Sequence, residues 1–185
     1  MFEVIRADIY RYTAKQSNLD IGMQLLKSSS FKFLFYFRLI SLSKKKIFYF
    51  IYYFFYRRYT TKYGMQIPLS VKIGMGIHFP HFGGIVINSK SIIGKNCTIM
   101  HNVTIGNSKS IKNKGNFAPK ILDEVYIGPG AVIVGDITIG NRVLIAPNSF
   151  VNFDVPNDSI VIGNPAIVKF KKFASKDYIT NKYNH

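Results

Sequence analysis

Residues 121 to 152 read ILDEVYIGPGAVIVGDITIGNRVLIAPNSFVN, and a single spacing governs the stretch. Ile121, Ile127, Ile133, Ile139, Ile145 and Val151 recur every six residues without an error, and a small or aliphatic residue follows four positions after each, at Val125, Ala131, Ile137, Val143, Ser149 and Val155. An amphipathic helix repeats its apolar side chains every three or four positions, and a half-buried strand every second. A period of six, with one bulky aliphatic and one small corner residue per unit, is the pattern of a parallel β-helix, in which successive coils stack and bury a column of aliphatics. Three units close one triangular coil, and neighbouring coils lie about 4.8 Å apart.

The spacing continues upstream. Ile73, Phe79 and Ile85 are six apart, and after a shift of two the series resumes as Ile93, Ile99 and Ile105. Because of that shift, His81 and His101 each stand two positions after a marker, Phe79 and Ile99, and are expected to project outward from the same face on adjacent coils. The register breaks at Asn107 to Lys120 (NSKSIKNKGNFAPK), a polar stretch with four lysines. A loop of this length on so regular a scaffold reads as functional. Its lysines either attract a phosphorylated ligand or form a solvated basic surface.

Composition divides the chain into residues 1–66, a basic aromatic-rich segment, 67–168, the repeat body with its inserted loop at 107–120, and 169–185, a basic tail. The first segment carries twelve basic and three acidic residues, holds 18 of the 28 aromatics and has no proline, which favours helices. Helices are expected over Phe2 to Lys15, over Ile21 to Lys27 running into Phe31 to Leu42, and over Lys45 to Tyr59. Within 31–59, the block IFYFIYYFFY (Ile47 to Tyr56) lies between lysines and arginines. It either rests in a membrane interface or packs against the protein or a symmetry mate. At ten residues it falls short of the about 20 that a spanning helix needs.

Met1 to Asp8 carries Glu3, Arg6 and Asp8 in place of a basic start and an apolar core, so no secretory signal is expected. A single cysteine, Cys97, excludes an intramolecular disulfide framework, and its position at a repeat corner reads as core. The expected location is cytoplasmic, on the inner face of the membrane if the aromatic segment rests there. His78 and His185 lack companions at metal-ligand spacing, so no metal is expected. The net charge of +16 is split between the two ends and accompanies no nucleic-acid motif, so no nucleic-acid partner is expected.

These residues resemble the left-handed β-helix acyltransferases of the serine acetyltransferase branch, which includes bacterial polysaccharide and sugar O-acetyltransferases. The resemblance runs over about residues 64–170 and rests on IGMGIHFPHFGGIVIN (Ile73 to Asn88), IGKNCTIMHNVTIG (Ile93 to Gly106), APKI (Ala118 to Ile121), VYIGPGAVIVGDITIG (Val125 to Gly140) and GNPA (Gly163 to Ala166). It implies a mainly β chain, a left-handed parallel β-helix of hexapeptide repeats with a short α-helical N-terminal segment. It also implies an acetyl-CoA-dependent O-acetyltransferase and a homotrimer, or a dimer of trimers, with active sites between neighbouring β-helices.

By the same resemblance His81 is the general base, Gln66 holds its imidazole and His101 binds or orients the acceptor. Gly106, Asn107, Gly130, Ala131 and Ala146 line the coenzyme, and Lys120 or Lys169 meets its phosphates. A neutral imidazole near pH 7 suits proton transfer from an acceptor hydroxyl to a departing thiolate.

Serine acetyltransferases usually carry aspartates where this chain has Pro80 and Gln66, and a histidine where it has Ala118. Losing these groups argues against free serine, so the expected acceptor is a sugar hydroxyl of a capsular, exopolysaccharide or other surface-glycan precursor. Serine O-acetylation for cysteine biosynthesis is the alternative. A non-catalytic β-helix scaffold or nucleic-acid-binding protein is the reading from another class.

Overall fold

The computed structural model describes residues 2–43, 46–108 and 118–184. From Met65 onward the chain winds into a left-handed parallel β-helix with three faces. The first face stacks Met65–Gln66, Ile85–Ile87, Thr104–Gly106, Val132–Val134 and Phe150–Val151. The second stacks Lys72–Ile73, Ile92–Ile93, Lys120–Ile121 and Thr138–Ile139, and the third Thr98–Ile99, Tyr126–Ile127, Leu144–Ile145 and Ser159–Ile162. All these pairings are parallel, and Ile167–Phe170 closes the third face antiparallel to Ser159–Ile162.

The six-residue markers become three inward columns. Ile87, Ile105, Ile133 and Val151 stack on the first face, Ile93, Ile121 and Ile139 on the second, and Ile99, Ile127, Ile145 and Val161 on the third. All are buried. The extra pair of residues sits elsewhere than the sequence spacing implies. His78 pairs with Thr98 and Val86 with Thr104, so the longer step lies between Phe79 and Ile87, in the turn that contains His81. Ile85 and Ile87 both point inward from one three-residue strand, and a period of six cannot choose between them.

Among the described residues four helices precede the coils: α1 (Phe2–Thr13), α2 (Asn18–Lys27), α3 (Ser29–Leu42) and α4 (Lys46–Tyr63). The helix expected to run from Ile21 into Leu42 is two helices, because Ser28 ends one and begins the next. Its extended backbone donates its N–H to Gln24 O, and its Oγ accepts from Phe31 N–H. Ser17 and Asp20 form a reciprocal cap at the start of α2.

Buried charges fasten α1 and α3 to the first coil. The Asp8 carboxylate accepts from Arg38 (2.8 Å) and from the N–H groups of Gly76 and Ile77, and Arg38 also donates to the carbonyls of Ile73 and Gly74. Burial pushes the Asp8 carboxyl above its ordinary value, while Arg38 and the two amides pull it back down. Arg11 donates to Gly76 O, Thr98 Oγ1 and Thr180 O. Burial lowers this guanidinium to about 10.

Helix α4 packs one side on α3, stacking Phe55 on Tyr36 and tilting Tyr56 against Phe33. On its other side Phe50, Ile51 and Phe54 are exposed. No helix among the described residues is long and apolar enough to cross a membrane.

The C-terminal residues run back along the corner between the second and third faces. Ser175 bonds Glu124 O, Lys182 pairs with Glu124 at 2.7 Å, and Tyr183 exchanges two hydrogen bonds with Asn96. Lys109, Lys112 and Lys114 of the expected loop, and His185, lie outside the described residues.

Candidate active site

The corner between the third and first faces is built from one turn per coil: Pro80–Gly84, Met100–Asn102, Pro129–Gly130 and Pro147–Asn148. His81 and His101 occupy the first two turns. Their rings meet edge to face, with centroids 5.6 Å apart and planes at 82°. His81 is exposed and His101 half-buried, and the buried Nδ1 of His101 has no hydrogen-bond partner among the described residues.

Gly130 continues the column one coil further on, donating its N–H to the His101 carbonyl at 3.1 Å. It takes a φ of +71°, and a Cβ there would run into the Asn148 side chain. Glycine is therefore required on both counts. Ala131, fully buried, and Ala146 belong to the same corner.

The helices bear directly on the peptide ahead of His81. Tyr12 Oη donates to Phe79 O and accepts from Phe79 N–H, both at 3.2 Å, while Ser30 Oγ donates to the same carbonyl at 2.6 Å. Burial raises the Tyr12 phenol, so it remains a proton donor. His78 stands edge-on to Tyr12 with centroids 4.4 Å apart. Burial, with Arg11 and His81 nearby, lowers it to about 3, so it is neutral.

Between the helices and the corner lies a cavity of about 470 Å³ lined by Tyr12, Gln24, Lys27, Ser28–Ser30 and Pro80–Phe82. Tyr12, Gln24, Lys27 and Ser30 are not singled out by the sequence. They meet His81 only through contacts more than 40 residues apart along the chain, which no local spacing encodes.

The structure thus brings His81, His101, Gly130, Ala131 and Ala146 to one corner. It separates the remainder within one chain. Gln66 lies exposed on the first face beside Val86, and its side chain makes no hydrogen bond among the described residues. Gly106 and Asn107 lie at the next corner, where Asn107 and Ala118 share a cavity of about 220 Å³ with Asn88, Ser89 and Lys90. Lys120 opens a second-face strand, and Lys169 sits exposed opposite Ile160. Cys97 is buried, donates to Leu122 O at 3.2 Å and is pushed up by burial to about 12, as a core thiol should be. No group of three or more metal-ligating side chains occurs among the described residues.

A family described as bacterial transferase hexapeptide (six repeats) matches residues 118–152. Coils and match together define a hexapeptide-repeat transferase. A serine acetyltransferase of Helicobacter pylori is 34% identical over 130 residues, covering 70% of this chain and 75% of its own length, and the chain belongs to that family. Serine acetyltransferase 2 of Arabidopsis thaliana is 38% identical over 109 residues, 59% of this chain, and the chain spans about a third (33%) of that relative's length. The crystal structure of the Brucella abortus S19 serine acetyltransferase in complex with coenzyme A superposes with a TM-score of 0.74 at 29% identity, covering 92% of this chain and 68% of that one.

These relatives overturn the expected surface-glycan acceptor, since they are named serine acetyltransferase and match the alternative instead. The expectation rested on groups missing at Pro80, Gln66 and Ala118. A missing group removes one way of holding serine and supplies no way of holding a sugar.

Proposed function

We propose that this chain transfers the acetyl group of acetyl-CoA to the hydroxyl of serine, with His81 as the general base. The observation that carries the reading is the His81–His101 pair at an open corner of the coils, beside a polar cavity, in a chain of the serine acetyltransferase family. The His81 imidazole takes the hydroxyl proton as the oxygen attacks the thioester carbonyl carbon. The C–S bond then breaks, and the imidazolium returns the proton to the thiolate, giving O-acetylserine and free coenzyme A. His101 supports His81 by ring contact.

Lys27 is the cation of the adjoining cavity and suits the serine carboxylate, with Gln24 and Ser29 as neutral partners. Gly130 and Ala146 offer a small-residue path for the pantetheine arm along the same corner, with Ala131 buried behind them. Gly106, Asn107 and Lys120 lie one corner away, so in this reading they serve the site of a neighbouring copy in a homotrimer.

The test is thiol release from acetyl-CoA with and without L-serine. Serine-dependent release should fall about a hundred- to ten-thousand-fold in His81→Ala, and Lys27→Met should raise the KM for serine more than it lowers kcat. No serine-dependent release would overturn the acceptor. Full activity in His81→Ala would overturn the base.

A further inference from the structure

Helix α4 uses Tyr52, Phe55, Tyr56, Tyr59 and Tyr63 to pack inward, through stacked or tilted contacts with Tyr36, Phe33 and Phe82 and a hydrogen bond from Tyr56 Oη to Ile67 O. That packing leaves a second stripe exposed among the described residues. Phe50 is 76% exposed, Phe54 64% and Ile51 53%. One to two turns on, Arg57, Arg58 and Lys62 are exposed and border a shallow groove together with Phe54 and Thr61. The exposed surface is therefore graded along the helix, with an aromatic first half and a cationic second half.

Large apolar side chains exposed in a contiguous patch mark an interaction surface, and the charge selects what it meets. The sequence contains no Asp or Glu between Asp20 and Asp123, so neither α3, α4 nor the first two coils offers an anion to these cations. A second copy pressing the same face against this one would set arginine against arginine if parallel, and if antiparallel would offer the cations rings but no anion. The occupant must accept aromatic rings and present negative charge beside them. We infer that α4 docks the protein onto an anionic lipid surface, lying in the plane of the membrane with Phe50, Ile51 and Phe54 among the upper acyl chains and Arg57, Arg58 and Lys62 at the phosphates. This surface is separate from the histidine corner and does not depend on the acyl-transfer reading.

The experiment is flotation of the full chain with phosphatidylcholine vesicles, with and without a phosphatidylserine fraction. At low salt the protein should float with the anionic vesicles and stay behind with the neutral ones. Binding should weaken toward 1 M salt, where the screening length falls from about 10 Å at 0.1 M to about 3 Å. Phe50→Ser/Phe54→Ser should lower partitioning about tenfold or more through lost apolar burial. Arg57→Glu/Arg58→Glu should abolish the preference for phosphatidylserine. Far-UV circular dichroism and sedimentation mass, unchanged in both double variants, establish that the fold is intact. Three results would each overturn the inference: no flotation with anionic vesicles, flotation unchanged in both variants, or a fall in the assembly's mass in Phe50→Ser/Phe54→Ser, which would assign the face to a second copy.

Discussion

Down the interior of the coils, Ile87, Ile105, Ile133 and Val151 lie one above another, at most 2% exposed and without a polar side chain between them. At the joint between helices and coils the buried groups are Asp8, Arg11 and Arg38, and each charge is met by hydrogen bonds from a different stretch of chain. The column is non-directional, since each isoleucine needs only an aliphatic above and below, so its stability is nearly a sum over coils. The joint is directional and works only when every partner is present, because removing one member of a buried ion pair strands the other away from water.

This contrast breaks if single deletions in the two regions cost the same. Asp8→Ala should give the largest loss, about 4 kcal/mol, because it leaves Arg38 buried without its anion and the N–H groups of Gly76 and Ile77 without an acceptor. Urea unfolding with a matched m-value measures it. Ile133→Ala, which removes one link of the column, should cost about 3 kcal/mol. The two figures are close, so the sharper test is repair. Adding Arg38→Met to Asp8→Ala should recover part of the loss, whereas no second substitution at Ile105 or Val151 should rescue Ile133→Ala without refilling the volume.

The same contrast explains what the sequence made legible. The coil is periodic, so each marker predicts the next: the spacing from Ile121 to Val151 carries the fold, and the markers Phe79 and Ile99 put His81 and His101 on one corner. It misplaced the two-residue shift, because alternation within Ile85–Ile87 offers two inward isoleucines where the period allows one. The joint repeats nothing. Asp8, Arg11 and Arg38 look like ordinary helix charges in the sequence, and only the fold brings them to Gly76, Thr98 and Ile73. The clamp on Phe79 was hidden for the same reason, since a tyrosine and a serine in separate helices give no joint signal. Absent residues misled most. The groups missing at Pro80, Gln66 and Ala118 point away from serine, although Pro80 itself lines the cavity beside Lys27, Gln24 and three serines, and Gln66 and Ala118 lie elsewhere.

His78 lies where the two regions meet and supplies a pH-dependent comparison. Its native value of about 3 lies below the about 6.5 of an unfolded histidine. Between those values the unfolded chain binds a proton that the native chain does not, so stability is full above about pH 6.5 and is lost as the pH falls. The slope is at most about 1.4 kcal/mol per pH unit, so the loss from this group between pH 6.5 and 5 is about 2 kcal/mol. Unfolding titrations of His78→Phe should show a shallower dependence in that window, and an unchanged dependence would place the titrating group elsewhere.

The smallest effect distinguishes the joint from the helices that merely surround it. Ser28 and Ser17 cap α3 and α2 through equivalent bonds, from Phe31 N–H and from Asp20 N–H, each 3.2 Å long. Changing either to alanine should cost about 1 kcal/mol of stability. Their effects on turnover should differ. Ser28 also touches Ser30 Oγ at 3.2 Å, and Ser30 holds the Phe79 carbonyl at 2.6 Å, so fraying the first turn of α3 loosens the peptide that sets His81. Ser28→Ala should therefore lower kcat for serine-dependent thiol release, Ser28→Asp should restore it by rebuilding the cap, and Ser17→Ala should lose the same stability with kcat unchanged. Equal kcat in the two alanine variants would mean that the helices support the histidine corner only through overall stability and not through the Phe79 clamp.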